Sequence, residues 1–310
     1  MNDKVKIKIG EEEKEIEVKK EGKVKILEIP ISIDVAENSF LHIGAAKSPL
    51  SEKDAPIFKI DRIPVIPATT FKGAFRHQLE LLFIEKFEEF KDMFDLDKEK
   101  IKEEIKKEIL KPCLPSTKPS KAEEELINMG MYREKTKLGS KEIVGCQISV
   151  NDKSILTPKI SNSDVGICPV CYFMGTTGLM GFLRFSNLYS EYNSSIIDQT
   201  SIRIDRKTGT AAHGAKVESE QVKPGTVFRG SISILISEPI LEMQGIQFGD
   251  ARKIGGVVID KWLQKWKETD KNKRVRILIE EVILPAIQNI KVLGGQKSRG
   301  AGKVNVKVIL

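Results

Sequence analysis

Histidine and cysteine are scarce in this 310-residue chain, which holds three of the first and four of the second. Three histidines leave little room for a catalytic triad, and no Ser/His/Asp set can be assembled by spacing. No Walker-type phosphate loop occurs, and the spacing of Gly175, Gly178 and Gly181 is not a dinucleotide fingerprint. No stretch approaches the roughly 20 apolar residues that a membrane-spanning helix needs. The opening residues do not pair a basic start with an apolar run, so no secretory signal is read there. A soluble, cytoplasmic protein is the expectation, with no membrane partner. Charge is only mildly one-sided: 51 Lys plus Arg face 44 acids, a net +7, which permits a polyanionic partner without requiring one. The length suffices for one large or two modest domains with real cores.

What is present reads largely as strands. Lys4–Val18 gives two short alternating stretches, VKIKI and EIEV, about Gly10. Such a hairpin is marginal alone, so it should rest on the body or extend a sheet edge. Val24–Val35 predicts a strand with a bulge or an edge at Pro30, which cannot donate to a ladder. Ile143–Val150, Leu183–Leu188 and Thr226–Ile236 also predict strands. Ala251–Trp266 and Arg276–Asn289 predict helices, the second interrupted or started by Pro285. Ser201–Pro224 predicts a long hairpin with a polar tip holding Lys207, Thr208, Gly209 and His213. An arm of this kind has no core of its own, so it should meet a partner or stay mobile. Phe87–Leu110 is a charge-rich helical run with Ile101, Ile105 and Ile109 spaced by four, the pattern of a solvated helix resting on the body. Lys111–Lys121 breaks it, Ala122–Met131 is helical again, and the whole region, about 87–171, reads as an insertion.

Two stretches suit anions. In Ile66–Arg76 (IPATTFKGAFR), Thr69 or Thr70 can N-cap a helix whose apolar positions Phe71, Phe75, Leu79 and Leu82 recur at helical spacing. Lys72 and Arg76 are four apart and share one face. Gly73 between them, disfavoured in a helix by about 1 kcal/mol relative to Ala, implies close approach of another backbone. Together they make a phosphate-gripping helix N-terminus; singly, each reads as a surface cation. Leu293–Lys303 sets Lys297, Ser298 and Arg299 among Gly294, Gly295, Gly300 and Gly302, before alternating Val304, Val306 and Val308. Glycines permit positive φ and close approach, and cations beside bare N–H groups suit phosphate oxygens. This loop is either such a grip or a turn into a last edge strand.

Cys168 and Cys171 form a CxxC, and Cys113 and Cys146 would complete a four-ligand zinc site. His42, His77 or His213 in place of one cysteine, or buried free thiols, are the alternatives. A cytosolic disulfide is not expected. A redox CxxC would open a helix near a βαβ unit, whereas this pair precedes a glycine-rich stretch. Asp54 and Asp61 lie in the loop before the Lys72 helix. Beside a phosphodiester a carboxylate orients a 2′-hydroxyl or holds a metal ion; alone, each reads as a turn-forming Asp.

Taken in order, these motifs resemble a known family. LGGQKSRGAGKV looks like the glycine-rich loop of the RAMP superfamily of CRISPR proteins. HIGAAKSPLSEKDAPIFKIDRIPVIPATTFKGAFR resembles the N-terminal block of the backbone subunits of type III CRISPR effector complexes. That block has a Gly after His-Ile, a D-x-P-[IV] loop, then I-P-G-[ST]-[ST]-x-K-G-x-x-R; here Ala68 stands where Gly is usual. CPVCYFMGTTG resembles the family's C-x-x-C and phenylalanine-glycine element, and IDRKTGTAAHGAKVESEQVKPGTVF its arm, or thumb. The matches run from about His42 to the end; the hairpin before Val24 and the charged insertion lie outside them.

The resemblance implies an α+β fold with a ferredoxin-like (RRM-like) core, an inserted helical or lid region and a protruding β-hairpin thumb. An N-terminal hairpin extension would cover 1–23 and the RAMP domain 24–310, with the insertion at about 87–171 and the thumb at about 201–224. It implies copies stacked along crRNA, the guide backbone being held by Lys72, Arg76, Lys297, Ser298 and Arg299. Arg206, Lys207 and His213 fall on the thumb, which crosses the guide–target duplex. In catalytic members the Asp of the D-x-P loop, here Asp54, cleaves target RNA in a step needing a divalent metal such as magnesium. The implied partners are crRNA, target RNA, further copies of the chain and other effector subunits. Phosphate contacts would make binding sequence-independent and salt-sensitive, leaving sequence to base pairing as in other RNA-guided systems. The rivals are a non-cleaving backbone subunit, a repeat-RNA processing endoribonuclease, and a zinc-stabilised RNA-binding module without chemistry.

Overall fold

β-Branched residues alternating with Lys and Glu give this chain mostly strands. The computed structural model describes residues 4–46, 53–93, 108–115, 118–138, 141–149, 159–160, 165–191, 196–237, 247–264 and 266–310. In chain order its elements begin with β1 (Lys4–Ile9), β2 (Glu12–Glu21), β3 (Val24–Val35), β4 (Lys59–Ile60), β5 (Ile63–Ile66), α1 (Ala68–Glu85), α2 (Phe87–Met93) and α3 (Lys121–Asn128). Next come β6 (Thr136–Leu138), β7 (Lys141–Ile143), β8 (Ile148–Ser149), β9 (Lys159–Ile160), α4 (Pro169–Met174), β10 (Leu183–Phe185), β11 (Leu188–Ser190), β12 (Ile196–Ile204), β13 (Ala211–Val222) and β14 (Val227–Ser237). The remainder is β15 (Lys253–Ile254), β16 (Val257–Val258), α5 (Lys261–Gln264), α6 (Lys271–Ile277), a π-helix (Leu278–Ile283), α7 (Leu284–Gln288), a 3₁₀ turn (Lys297–Arg299) and β17 (Val304–Val308). This is an α+β protein with a mostly antiparallel sheet. Among the described residues no helix is long and apolar enough to cross a membrane.

The chain divides into two compact units: Met1–Glu28, Arg76–Arg184 and Ser233–Ala286 form one, and Ile29–Phe75, Phe185–Ile232 and Ile287–Leu310 the other. β3, α1 and β14 run through the division, and each part is described with its own unit.

In the first unit β1 and β2 form the hairpin expected from VKIKI and EIEV, burying Val5, Ile7, Ile16 and Val18. β2 continues onto the start of β3, with Val18 opposite Leu27. The core is aromatic: the Tyr172 ring centroid lies 4.7 Å from Phe182 and 5.3 Å from Trp262. Buried Arg252 is tolerated there because Asp260 accepts from its Nε and Nη2 at 2.7 and 2.8 Å, and the Tyr172 ring faces it at 4.9 Å. Ala251–Trp266 is not the single helix its pattern predicts. β15 and β16 turn at Gly255 and Gly256, whose φ of 56° and 80° lie outside the helical region, and only Lys261–Gln264 is helical. Ile143–Val150 is not one strand either: β7 ends at Ile143, β8 starts at Ile148, and Cys146 lies between, while Val150 falls outside the described residues. Of the charged helical run, Ile101 and Ile105 lie outside the described residues, and Ile109 is buried. The last helical run starts at Lys271, earlier than Arg276, because Asp270 caps it by accepting from Asn272 N–H at 2.8 Å. It carries Pro285 by widening into the π-helix just before it, where Leu284 N–H reaches back to Ile279 O.

In the second unit the sheet runs β17-β3-β14-β11-β5-β4. β17 lies antiparallel to β3 from Val304 opposite Val35 to Val308 opposite Ile31. The β3 ladders with β17 and β2 cover Ile31–Val35 and Val24–Leu27, so Pro30 falls between those two; β3 also pairs with β14 and is a central strand rather than an edge. Leu183–Leu188 is broken: β10 ends at Phe185 and β11 starts at Leu188. The break frees Asn187, whose Oδ1 accepts the Ala68 N–H at 2.8 Å and so caps α1. Thr69 and Thr70, the expected caps, lie inside that helix. Phe71 and Phe75 bury the start of α1 against Phe185, at 5.8 and 5.4 Å between ring centroids. A Cβ on Gly73 would meet nothing within 4 Å, so no backbone of the described chain approaches it. β12 and β13 form a long two-stranded hairpin, starting at Ile196 rather than Ser201.

Candidate nucleic-acid interface and thiolate cluster

The glycine-rich loop of the second unit is seated on the segment Ser39–His42. Gly295 N–H donates to His42 O at 2.8 Å, Gly302 N–H to Phe40 O at 2.7 Å and Leu293 N–H to Gly302 O at 2.8 Å. Ser39 Oγ donates to Gly300 O at 2.9 Å and accepts the Lys303 N–H at 3.1 Å. A Cβ on Gly294 would stand 2.4 Å from His42 O, and one on Gly302 2.3 Å from Leu293 O, so both positions require glycine. Between them Gln296 takes a left-handed φ of 56°, and Lys297–Arg299 makes one 3₁₀ turn closed by Gly300 N–H onto Lys297 O at 3.1 Å. Lys297, Ser298 and Arg299 are exposed, and among the described residues neither cation has an ion pair. Lys72 is exposed on the first turns of α1.

The hairpin base meets this loop. Gln221 Nε2 on β13 donates to Gln296 Oε1 at 3.0 Å, and His42 Nδ1 lies 2.9 Å from Glu220 O. The segment carrying Asp54 runs along the same strand. Asp54 and Ala55 N–H both donate to Glu218 O, at 2.9 and 3.1 Å, and Glu218 N–H returns a bond to Asp54 Oδ2 at 3.1 Å. Lys53 Nζ bridges Asp198 at 2.8 Å and Glu218 at 3.3 Å, and Lys59 Nζ holds Glu220 at 2.8 Å. Hydrogen bonds from Lys216 and then Lys53 hold the Glu218 carboxyl below the usual range. Asp54 itself is exposed, whereas Asp61 has φ 50° beside Arg62 at 69° and serves as the turn between β4 and β5. Spacing could not have found Gln221, Gln296 or Glu218, since their partners lie far along the chain; His42 is marked by its place before Ile-Gly, but not as a neighbour of Glu220 or of the glycine-rich loop.

Arg206, Lys207 and His213 are exposed toward the hairpin tip, where Asp205 Oδ1 accepts the Lys207 N–H at 2.7 Å. Ile202 and Ile204, 56% and 63% exposed, leave apolar surface on the same arm.

In the first unit the four cysteines come together. Their Sγ atoms all lie within 4.8 Å of one another, and all four side chains are buried. Cys113 Sγ is 3.4 Å from Cys171 Sγ and 3.6 Å from Cys168 Sγ. Four thiolates at Zn–S bonds of about 2.3 Å stand about 3.8 Å apart on a tetrahedron, so the donor set fits a four-coordinate metal. Backbone N–H groups already aim at the sulfurs: Cys146 N–H at Cys113 Sγ (3.3 Å), Cys168 N–H at Cys146 Sγ (3.4 Å) and Cys171 N–H at Cys168 Sγ (3.3 Å). None of the three histidines belongs to the group. The CxxC does open a helix, Cys168 being the N-cap of α4. Arg76, expected beside Lys72 on RNA, instead turns its Nε to Glu80 Oε1 at 2.7 Å and its Nη2 to Cys113 O at 3.2 Å. Its side chain is 16% exposed.

A search of curated proteins finds no match. The family model for the RAMP superfamily matches residues 38–305, from the segment under the glycine-rich loop to the final strand. The chain therefore belongs to the RAMP superfamily, whose members are CRISPR-associated RNA-binding modules with RNA and CRISPR-complex partners.

Proposed function

We propose that this chain is a crRNA-binding backbone subunit of a type III CRISPR interference complex, and that it cleaves target RNA through Asp54. The observation that carries the reading is the convergence, within one unit, of the Asp54 segment and the glycine-rich loop on the base of one hairpin. In this reading Lys72, Lys297, Ser298 and Arg299 hold guide phosphates, and Arg206, Lys207 and His213 reach the guide–target duplex from the hairpin, acting as a thumb. Arg76, already engaged by Glu80 and the Cys113 carbonyl, would steady the second turn of that helix. The strand order β17-β3-β14-β11 supports a ferredoxin-like, RRM-like core, in which the fourth, first, third and second strands lie side by side. The first 23 residues would then be an extension of that domain, and about 87–171 its insertion.

A magnesium ion is ordinarily held by one or two carboxylates and the substrate phosphates. Asp54, exposed and backed by Glu218 N–H on one oxygen, suits that role and would orient the reacting 2′-hydroxyl. Bound there, the metal would supply Lewis-acid stabilisation of the phosphate. The four-cysteine cluster is assigned structural zinc. Asp54→Ala in the assembled complex should retain guide binding and lose Mg²⁺-dependent target cleavage; unchanged cleavage would sink the catalytic assignment. The Glu218 N–H bond to Asp54 also favours a second reading, a non-cleaving backbone subunit with a structural Asp54. Cleavage of repeat RNA by the isolated chain would instead place it among guide-processing endoribonucleases.

A further inference from the structure

One buried side chain joins all three segments that deliver the cysteines. Arg133, 4% exposed, donates from Nε to Glu108 O and Lys111 O, both at 2.9 Å, and from Nη2 to Ile109 O at 2.7 Å. Those carbonyls immediately precede Cys113. Its Nη1 donates to Gly166 O at 2.7 Å, two residues before Cys168, and reaches Cys146 Sγ at 3.6 Å. Its own N–H donates to Pro112 O at 2.9 Å. A guanidinium has five N–H donors in a rigid fork, and here that fork spans the Cys113, Cys146 and Cys168–Cys171 segments at once.

Charge gives this geometry its purpose. Four thiolates around a divalent ion carry a net double negative charge, which is costly to bury without a nearby cation. Among the described residues Arg133 is the cation that reaches a cysteine sulfur, and its charge cannot be lost by deprotonation in a protein. Lysine would supply a point charge without the fork.

We propose that Arg133 is the positioning and charge-balancing residue of a four-thiolate metal centre formed by Cys113, Cys146, Cys168 and Cys171. It rests on the reading of that cluster as a metal site, and the test separates the two. The metal-stripped full-length chain is titrated with Co²⁺, reading affinity and the position of the sulfur-to-cobalt charge-transfer band. The wild type should bind with a tetrahedral thiolate spectrum; absence of binding would overturn the metal reading itself. Arg133→Met should bind about 10–100-fold more weakly, as expected when a partner of the ligands is removed, with a shifted band. If Arg133→Met does not fold, Arg133→Lys decides: it keeps the charge but not the bridging fork, so weaker binding and a shifted band are again required. A wild-type spectrum and affinity in whichever variant folds would overturn the proposal. Loss of the Arg133 donor leaves more electron density on Cys146 Sγ and should move the band to lower energy, whereas a residue that only steadied the fold would lower the melting temperature and affinity without that shift.

Discussion

Removing the two loop cations is the perturbation that bears most directly on RNA binding. None of the hydrogen bonds that seat the glycine-rich loop uses the side chains of Lys297 or Arg299; they run through backbone atoms, Ser39 and the Gln221–Gln296 pair. Lys297→Ala with Arg299→Ala should therefore leave the loop in place and remove charge alone. For single-stranded nucleic acid each neutralised phosphate contributes about 0.7 to the slope of log affinity against log salt, so two contacts contribute about 1.4. Between about 50 and about 200 mM salt the wild type should then lose about sevenfold more affinity than the double variant. Fluorescence anisotropy with a labelled crRNA-length strand, run over a salt series, reads both slopes, and thermal melting checks that the variant is folded. An unchanged slope in a folded variant would refute the reasoning and leave the loop as a turn into β17.

Three further outcomes are expected. Gly302→Ala should destabilise the chain more than Gly300→Ala in urea unfolding: both have left-handed φ, costing about 1–2 kcal/mol for a Cβ, but only at Gly302 would that atom also meet a carbonyl at 2.3 Å. Equal losses would show that Leu293 O is free to move. Chelation of a zinc-loaded sample should lower the melting temperature and expose four titratable thiols. A free metal concentration of 100 times Kd corresponds to about 2.7 kcal/mol of stabilisation, and an unchanged melt would count against a structural metal. Asp34 offers a pH test. Burial raises its carboxyl, but hydrogen bonds from Lys307 and Ser32 outweigh that and hold it below its ordinary value. A lowered folded value contributes stability above the unfolded pKa of about 3.9, lost as pH falls through the folded one. Lys307 is 66% exposed, so Asp34→Asn should cost at most about 1 kcal/mol at neutral pH. That gap should close in acid below about pH 4; a pH-independent gap would argue against the ion pair.

The sequence by itself determined most of the strands and the exposed turn that carries Lys297, Ser298 and Arg299. Alternation in VKIKI, EIEV and the Val24–Val35 stretch specifies faces locally, and Lys297, Ser298 and Arg299 between glycine pairs specify a polar turn, which the structure exposes. It offered the four cysteines as a candidate ligand set while leaving a histidine in place of one, or free thiols, open; the tertiary structure brought the four sulfurs together. It misread Ala251–Trp266, where apolar spacing suggested a helix that Gly255 and Gly256 turn into a hairpin. Only the tertiary structure decided which groups meet. Asn187 rather than a threonine caps α1, Gln221 finds Gln296, Glu218 finds Asp54, and Arg76 turns from solvent to Glu80 and a cysteine carbonyl. Arg133 carries no motif at all, yet it bonds three segments around the thiolates. The physical reason is that periodicity records burial along one element, whereas hydrogen-bond and ligand partners across tens to hundreds of residues are chosen by how the elements pack.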